Sequence, residues 1–207
     1  MRAVLGHIIM DLYERIKQAK EFGTWLHGRT NGRVFPGGVR ERASLAITQQ
    51  SEDVADAILV LLEAQLPGPA LALSRPLFEG YVRGYWLMRY ASDKQVEEFM
   101  RGTCPNFPRL LRAIPKDAES GGAWIHANAA SNLPTFHNLT HGGSEHIKRR
   151  VLDGVVEPAY PESELASLVM LSNEVRVCLA AELLTIVGDE ESMEELNGWA
   201  QLLRAHP

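Results

Sequence analysis

Two groups of side chains in this sequence are spaced so that they could do chemistry. Arg75, Glu79 and Arg83 recur every four residues, so a helix stacks them on one face. Arginine grips carboxylate or phosphate through parallel N–H donors. Flanked by Phe78, Tyr81, Tyr85 and Trp86, the ladder would line a pocket for an anionic or planar ligand. Its other reading is a partly buried structural ion triad. The second group is His137 and His141, also four apart, with Asn138 beside them. One helical turn puts both imidazoles on one face. Imidazole titrates near neutral pH, which suits proton transfer or polar ligand binding. The alternative reading is a pair of structural histidines closing a helix before Gly142.

The spacing of His137 and His141 also suits metal ligation, but the surrounding pattern does not support it. There is no H-E-x-x-H and no paired Glu-x-x-His. Glu63, Glu79 and Glu182 with the histidines are the remaining donor set for a metal in a helical core. No metal and no cofactor is expected. Glycine-rich phosphate loops and the G-x-S-x-G elbow are absent as well.

These residues need helices to hold them. Alanine and leucine together number 48, against 30 for valine, isoleucine and threonine, which favours helix over sheet. Leu5, Ile8, Ile9, Leu12, Ile16 and Ala19 set an amphipathic helix over 3–27. A second helix spans 39–65, and its apolar half from Val54 to Leu62 implies burial on nearly every side. Pro67-Gly68-Pro69 predicts a turn, and a third helix over 70–91 should kink at Pro76. Gly80 and Gly84 on that helix predict a closely approaching backbone. Ser92 predicts the N-cap of a short helix to Arg101. Residues 115–144 read as the longest irregular stretch, with 122–131 able to form a helix and another helix at 144–153. Ser163 caps a long helix over 162–187 that stops at Gly188, and a last helix covers 189–205. The expected fold is an all-α bundle forming a single domain over 1–207. A polar His/Asn/Gly-rich insertion lies between its third and last long helices and packs across one end.

Charge and cysteine content narrow the function classes. The net charge is -5, from 21 Lys and Arg against 26 Asp and Glu, so a globally basic nucleic-acid surface is excluded. Lys148-Arg149-Arg150 is a local basic patch or a solvated helix edge. Cys104 and Cys178 form no metal-like or disulfide pattern, and Cys178 reads as a small core hydrophobe. The stretch Val4 to Met10, which contains His7, is too short for a secretory leader. The chain is expected in the cytoplasm, without membrane contact and as a homodimer.

Two segments carry a family resemblance: Ala72-Leu73-Ser74-Arg75 through Leu87, and Leu139-Thr140-His141-Gly142-Gly143 through Arg149-Arg150 and Glu157-Pro158-Ala159-Tyr160. Over roughly 45–187 they resemble a family of bacterial all-helical proteins built on a domain of unknown function. That family pairs an A-x-x-L-x-R-x-x-x-E helix with a downstream T-H-x-G and R-R segment. The resemblance points to Arg75, Glu79 and His141 as the matching positions. More distantly, the layout resembles HEPN-type proteins of bacterial defence and toxin–antitoxin systems, many of them metal-independent ribonucleases. Their arginine four to six residues before a histidine is absent ahead of His126, His137, His141 and His146. The reading is a binding or regulatory module whose polar pocket is lined by Arg75, Glu79, Arg83, His137, Asn138 and His141. The alternative is a HEPN-like ribonuclease acting on RNA through His141 or His137.

Overall fold

A computed structural model describes residues 2–35, 37–117, 121–152 and 154–204. The side chains of residues 2–11 and 152 lie outside that description, and with them His7 and the expected apolar positions Leu5, Ile8 and Ile9. The fold is all-α. Its elements are α1 (Arg2–Thr30), α2 (Val39–Glu63), α3 (Pro67–Ala72), α4 (Ser74–Arg89), α5 (Asp93–Met100), α6 (Phe107–Ala113), α7 (Gly122–Thr140), α8 (Ser144–Lys148), α9 (Glu162–Val187) and α10 (Glu190–Arg204). Two short strands, β1 (Val151–Leu152) and β2 (Val155–Val156), pair antiparallel between α8 and α9. β1 occupies the end of the 144–153 segment expected to be helix, and α8 its start. Among the described residues no helix is long and apolar enough to cross a membrane.

Helical periodicity sets the core. Ile16, Ala19, Phe22 and Leu26 are the buried stripe of α1. On α2 the buried apolar positions are Ala43, Leu45, Ala55, Ile58, Leu59 and Leu62. Burial on nearly every side does not hold for α2, because Val60 is 57% exposed. The long apolar α9 is central and packs against α1, α2, α4 and α10. Most of the core is continuous from α1 to α9, with Phe78 meeting the rings of Phe107, Trp124 and Phe136. A second cluster seats Phe22 against Trp25 and Trp199 beside Leu184 and Leu196.

The prolines act differently from expectation. Pro67 starts α3 at its first turn rather than forcing a turn, because that position needs no N–H partner. The expected third helix is divided at Leu73, one turn before Pro76. Pro134 lies inside α7 without ending it. The supposed irregular stretch is therefore largely one 19-residue helix. Its Asn128 side chain donates to the Trp124 carbonyl at 3.1 Å, and Asn132 donates to Asn128 at 3.3 Å. These bonds tie polar residues to the helix itself. Ser163 is not the cap of α9, which begins after Pro161. Ser92 caps α5 and accepts from Gln95 N, while Gly188 ends α9 with a φ of 67°.

Helices α2 and α4 approach closely at Gly80 and Gly84. A Cβ on Gly80 would stand 2.3 Å from Ser51 Oγ, and one on Gly84 2.9 Å from Thr48 Oγ1 and 3.4 Å from the Ser44 carbonyl. Ser44 Oγ donates to the Gly84 carbonyl at 2.8 Å and pins the crossing. Gly84→Val should cost about 1–3 kcal/mol through overpacking, outweighing the roughly 0.4 kcal/mol by which valine betters glycine in a helix. Urea unfolding checks this. A stability equal to the parent would mean that the two helices can separate freely here.

Candidate functional site

The start of α4 and the end of α7 converge on one surface. Pro76 has no N–H to offer the Ala72 carbonyl one turn back. Thr140 Oγ1 donates to that carbonyl at 3.0 Å. This bond docks the last turn of α7 on the α3–α4 break and brings His137 and His141 beside Arg75. Arg75 Nη1 lies 2.5 Å from His137 Nδ1 and 3.2 Å from His141 Nε2. A guanidinium only donates, so both ring nitrogens accept. The neutral imidazoles then carry their protons on His137 Nε2 and His141 Nδ1. The two ring centroids are 4.5 Å apart.

Glu79 is the fixed point of the group. It is 7% exposed and accepts from Arg75 Nε and Arg83 Nη2, both at 2.6 Å. Arg83 also sits over the Phe107 ring, 5.9 Å from its centroid. Arg75, Glu79, Arg83, His137 and His141 thus form one cluster, with both imidazoles exposed to solvent. Among the described residues, Arg75 Nη2 and Arg83 Nη1 have no hydrogen-bond partner. Two guanidiniums against one carboxylate leave a positive surface with open donors. Glu79→Ala should loosen both arginines and cost about 2–4 kcal/mol, because it strands two half-buried cations. Thermal or urea unfolding reads that loss.

The other candidates lie elsewhere. Asn138 belongs to the turn into α8: its Oδ1 accepts from Glu145 N at 2.9 Å, and its carbonyl accepts from Gly143 N at 2.8 Å. His126 Nε2 bonds the Ile114 carbonyl at 2.9 Å, and His146 Nε2 the Leu139 carbonyl at 2.7 Å. Both tie neighbouring segments together. The core metal set does not assemble. Glu63 pairs with Lys20, and Glu182 pairs with Arg89, away from Glu79. Lys148-Arg149-Arg150 is no free patch, since Arg149 is held by Glu145 and Glu164 and Arg150 stacks on Tyr160. Cys178 is packed against the core, and burial pushes its thiol pKa up.

Sequence reasoning missed a second polar group. Arg176 of α9 is fully buried, and Gly23 leaves room for it: a Cβ there would stand 3.2 Å from its Nη1. Its Nη1 donates to the Ala19 carbonyl at 3.1 Å and its Nη2 to Asp56. Its Nε is 3.1 Å from Glu52 Oε1. His27 Nε2 lies 3.5 Å from Asp56 Oδ2 and 3.9 Å from Glu52 Oε1. Burial pushes Glu52 up to about 7 against the pull of Arg176, and Asp56 and Asp53 add to the rise. Two signals were available: an arginine between Val175 and Val177, and a Glu52–Asp56 pair four residues apart.

A family model described as "Family of unknown function (DUF6988)" matches residues 49–204. That span contains all of α4 and α7, and so both halves of the Arg–His cluster. No curated protein and no solved structure matches the chain.

Proposed function

The chain belongs to this family of unknown function, and from that premise we propose that it is a binding module for a small anionic ligand, taken at Arg75, Arg83, His137 and His141. One observation carries the reading: a single buried carboxylate, Glu79, holds two guanidiniums beside two exposed imidazoles. The groups are preorganised and leave open donors, so an arriving carboxylate or phosphate meets them with little reordering. Two free thiols, one of them the exposed Cys104, agree with a reducing cytoplasm. The expected homodimer is read by light scattering.

The probe is inorganic phosphate, with acetate beside it, followed through the imidazole resonances of the full chain. Saturable shifts at His137 and His141 are expected. Arg75→Gln should weaken them at least about tenfold, roughly what losing one charge-assisted bond gives. No saturable response to either anion would refute the site.

The imidazole pair supports a second reading, ribonuclease activity. One ring, turned off Arg75 so that a neutral nitrogen is free, would take the proton of a ribose 2′-hydroxyl as its oxygen attacks phosphorus. The other, entering as the imidazolium, would protonate the departing 5′-oxygen, leaving a 2′,3′-cyclic phosphate, with Arg75 against the phosphoryl oxygens. This reading requires cleavage of RNA that resists chelator and disappears in His141→Ala while the fold survives. Intact RNA in every condition leaves the anion-binding reading alone.

A further inference from the structure

A cavity of about 540 Å³ lies between α1, residues 31–35, α2 and α9. Sites for small organic molecules fall at roughly 300–1,000 Å³ and are mostly apolar with a few placed polar groups. Leu26, Val34, Phe35, Leu45 and Leu183 supply apolar wall. Glu52 lines the cavity too, and it is only 6% exposed. Its Oε2 has no hydrogen-bond partner, and its Oε1 is approached by Arg176 Nε at 3.1 Å and by His27 Nε2 at 3.9 Å without a hydrogen bond to either. The other nitrogens of Arg176 are committed to Ala19 and Asp56. A buried carboxylate oxygen without a donor is unusual, because such groups are almost always satisfied.

We propose that this cavity binds a small organic monocation whose apolar or aromatic body fills it and whose amine or amidinium head donates to Glu52. Charge agrees with this. Glu52 and Asp53 line the cavity and Asp56 lies behind it, against the guanidiniums of Arg42 and Arg176. With Glu52 ionised, three carboxylates face two guanidiniums, and Arg42 turns toward the Gly37 carbonyl. The donor atoms of His27, Glu52 and Asp56 also lie within 4.8 Å of one another, which is metal-ligand spacing. A divalent ion there would share both carboxylates with Arg176, whose charge opposes it. An organic cation needs only the unpartnered Glu52 oxygen and uses the apolar wall that a metal ignores. The site is separate from the Arg75 cluster, so the two can be tested independently.

The test is a calorimetric titration of the full chain with benzamidine and with phenethylamine at pH 8, where Glu52 is ionised. Benzyl alcohol and benzoate serve as neutral and anionic matches, and Zn²⁺ is titrated alone. Saturable binding of at least one cation is expected, with neither match binding comparably. Glu52→Gln should weaken it at least about tenfold. Ala46→Trp places a ring at an exposed cavity wall position and should block binding in a protein that still folds. If Glu52→Gln fails to fold, that variant decides. No cation binding, equal binding of benzoate or benzyl alcohol, unchanged binding in a folded Glu52→Gln or in Ala46→Trp, or Zn²⁺ binding alone would each overturn the proposal.

Discussion

Replacing Arg176 by methionine is expected to lower stability by about 3 kcal/mol at pH 8. Arg176 is wholly buried and meets Glu52, Asp56 and the Ala19 carbonyl. Methionine fills much of the same volume, so the loss is electrostatic rather than a cavity. Two carboxylates would be left near each other without their cation. Breaking a buried pair from one side costs roughly 3–5 kcal/mol. The lower figure applies because the Asp56 side chain is 39% exposed and keeps part of its hydration. Neutralising the stranded acids with Glu52→Gln and Asp56→Asn in the same chain should recover a good part of the loss. Urea unfolding of the single and triple variants measures both effects. An Arg176→Met protein as stable as the parent would show that the ion group contributes nothing to the fold.

The second large effect is a dependence on pH. Glu52 is held near 7 in the folded protein, against 4.5 for the free side chain. Between those values the folded state keeps a proton that the unfolded chain has released. Stability from this group is therefore full below about 4.5, falls as pH rises to about 7, and is flat beyond. The span corresponds to about 3 kcal/mol. Two partly exposed carboxylates act in the opposite sense. Bonding to Trp25 and Arg29 lowers the Glu195 pKa, and bonding to Ser192 and Arg33 lowers that of Asp189. Their contribution is present above the free-carboxylate range and is lost as pH falls through their lowered values. The protein should thus be most stable in mildly acidic solution. Glu52→Gln should remove the decline toward neutrality and leave the acid limb in place. Unfolding midpoints from pH 4 to 8 check this, and an unchanged decline in the variant would assign it to another group. Arg176→Met should also be milder at pH 5, where Glu52 can take up a proton in place of its lost partner.

Much of the bundle was legible because it rests on local rules. Ile16 and Ala19 show their stripe by spacing, Ser92 and Gly188 mark their helix ends, and Arg75, Glu79 and Arg83 share a face by arithmetic alone. Helix α7 was obscured by its composition. Ile125, Ala129, Phe136 and Leu139 are its buried apolar anchors, spread thinly among asparagine, histidine and Pro134. The meeting of Arg75 with His137 and His141 spans more than 60 residues of chain and is fixed by a hydroxyl bond that no local pattern shows. Arg176 was harder still, since its partners Ala19 and Asp56 come from two other helices. Periodicity reports which face of a helix is buried, but not which charge waits on the other side.

The Thr140–Ala72 bond has a consequence for how this surface could change over time. The imidazoles are placed by a missing hydrogen, the one that proline withholds at position 76. Any other residue there would return an N–H to the Ala72 carbonyl and mend the break between α3 and α4. The repaired helix would be locally better, and the Ala72 carbonyl would swing into line with the helix axis, away from Thr140. Local perfection and the alignment of distant groups therefore pull in opposite directions at this one peptide. A designer improving helix regularity here would be expected to gain stability and lose the arrangement of the cluster.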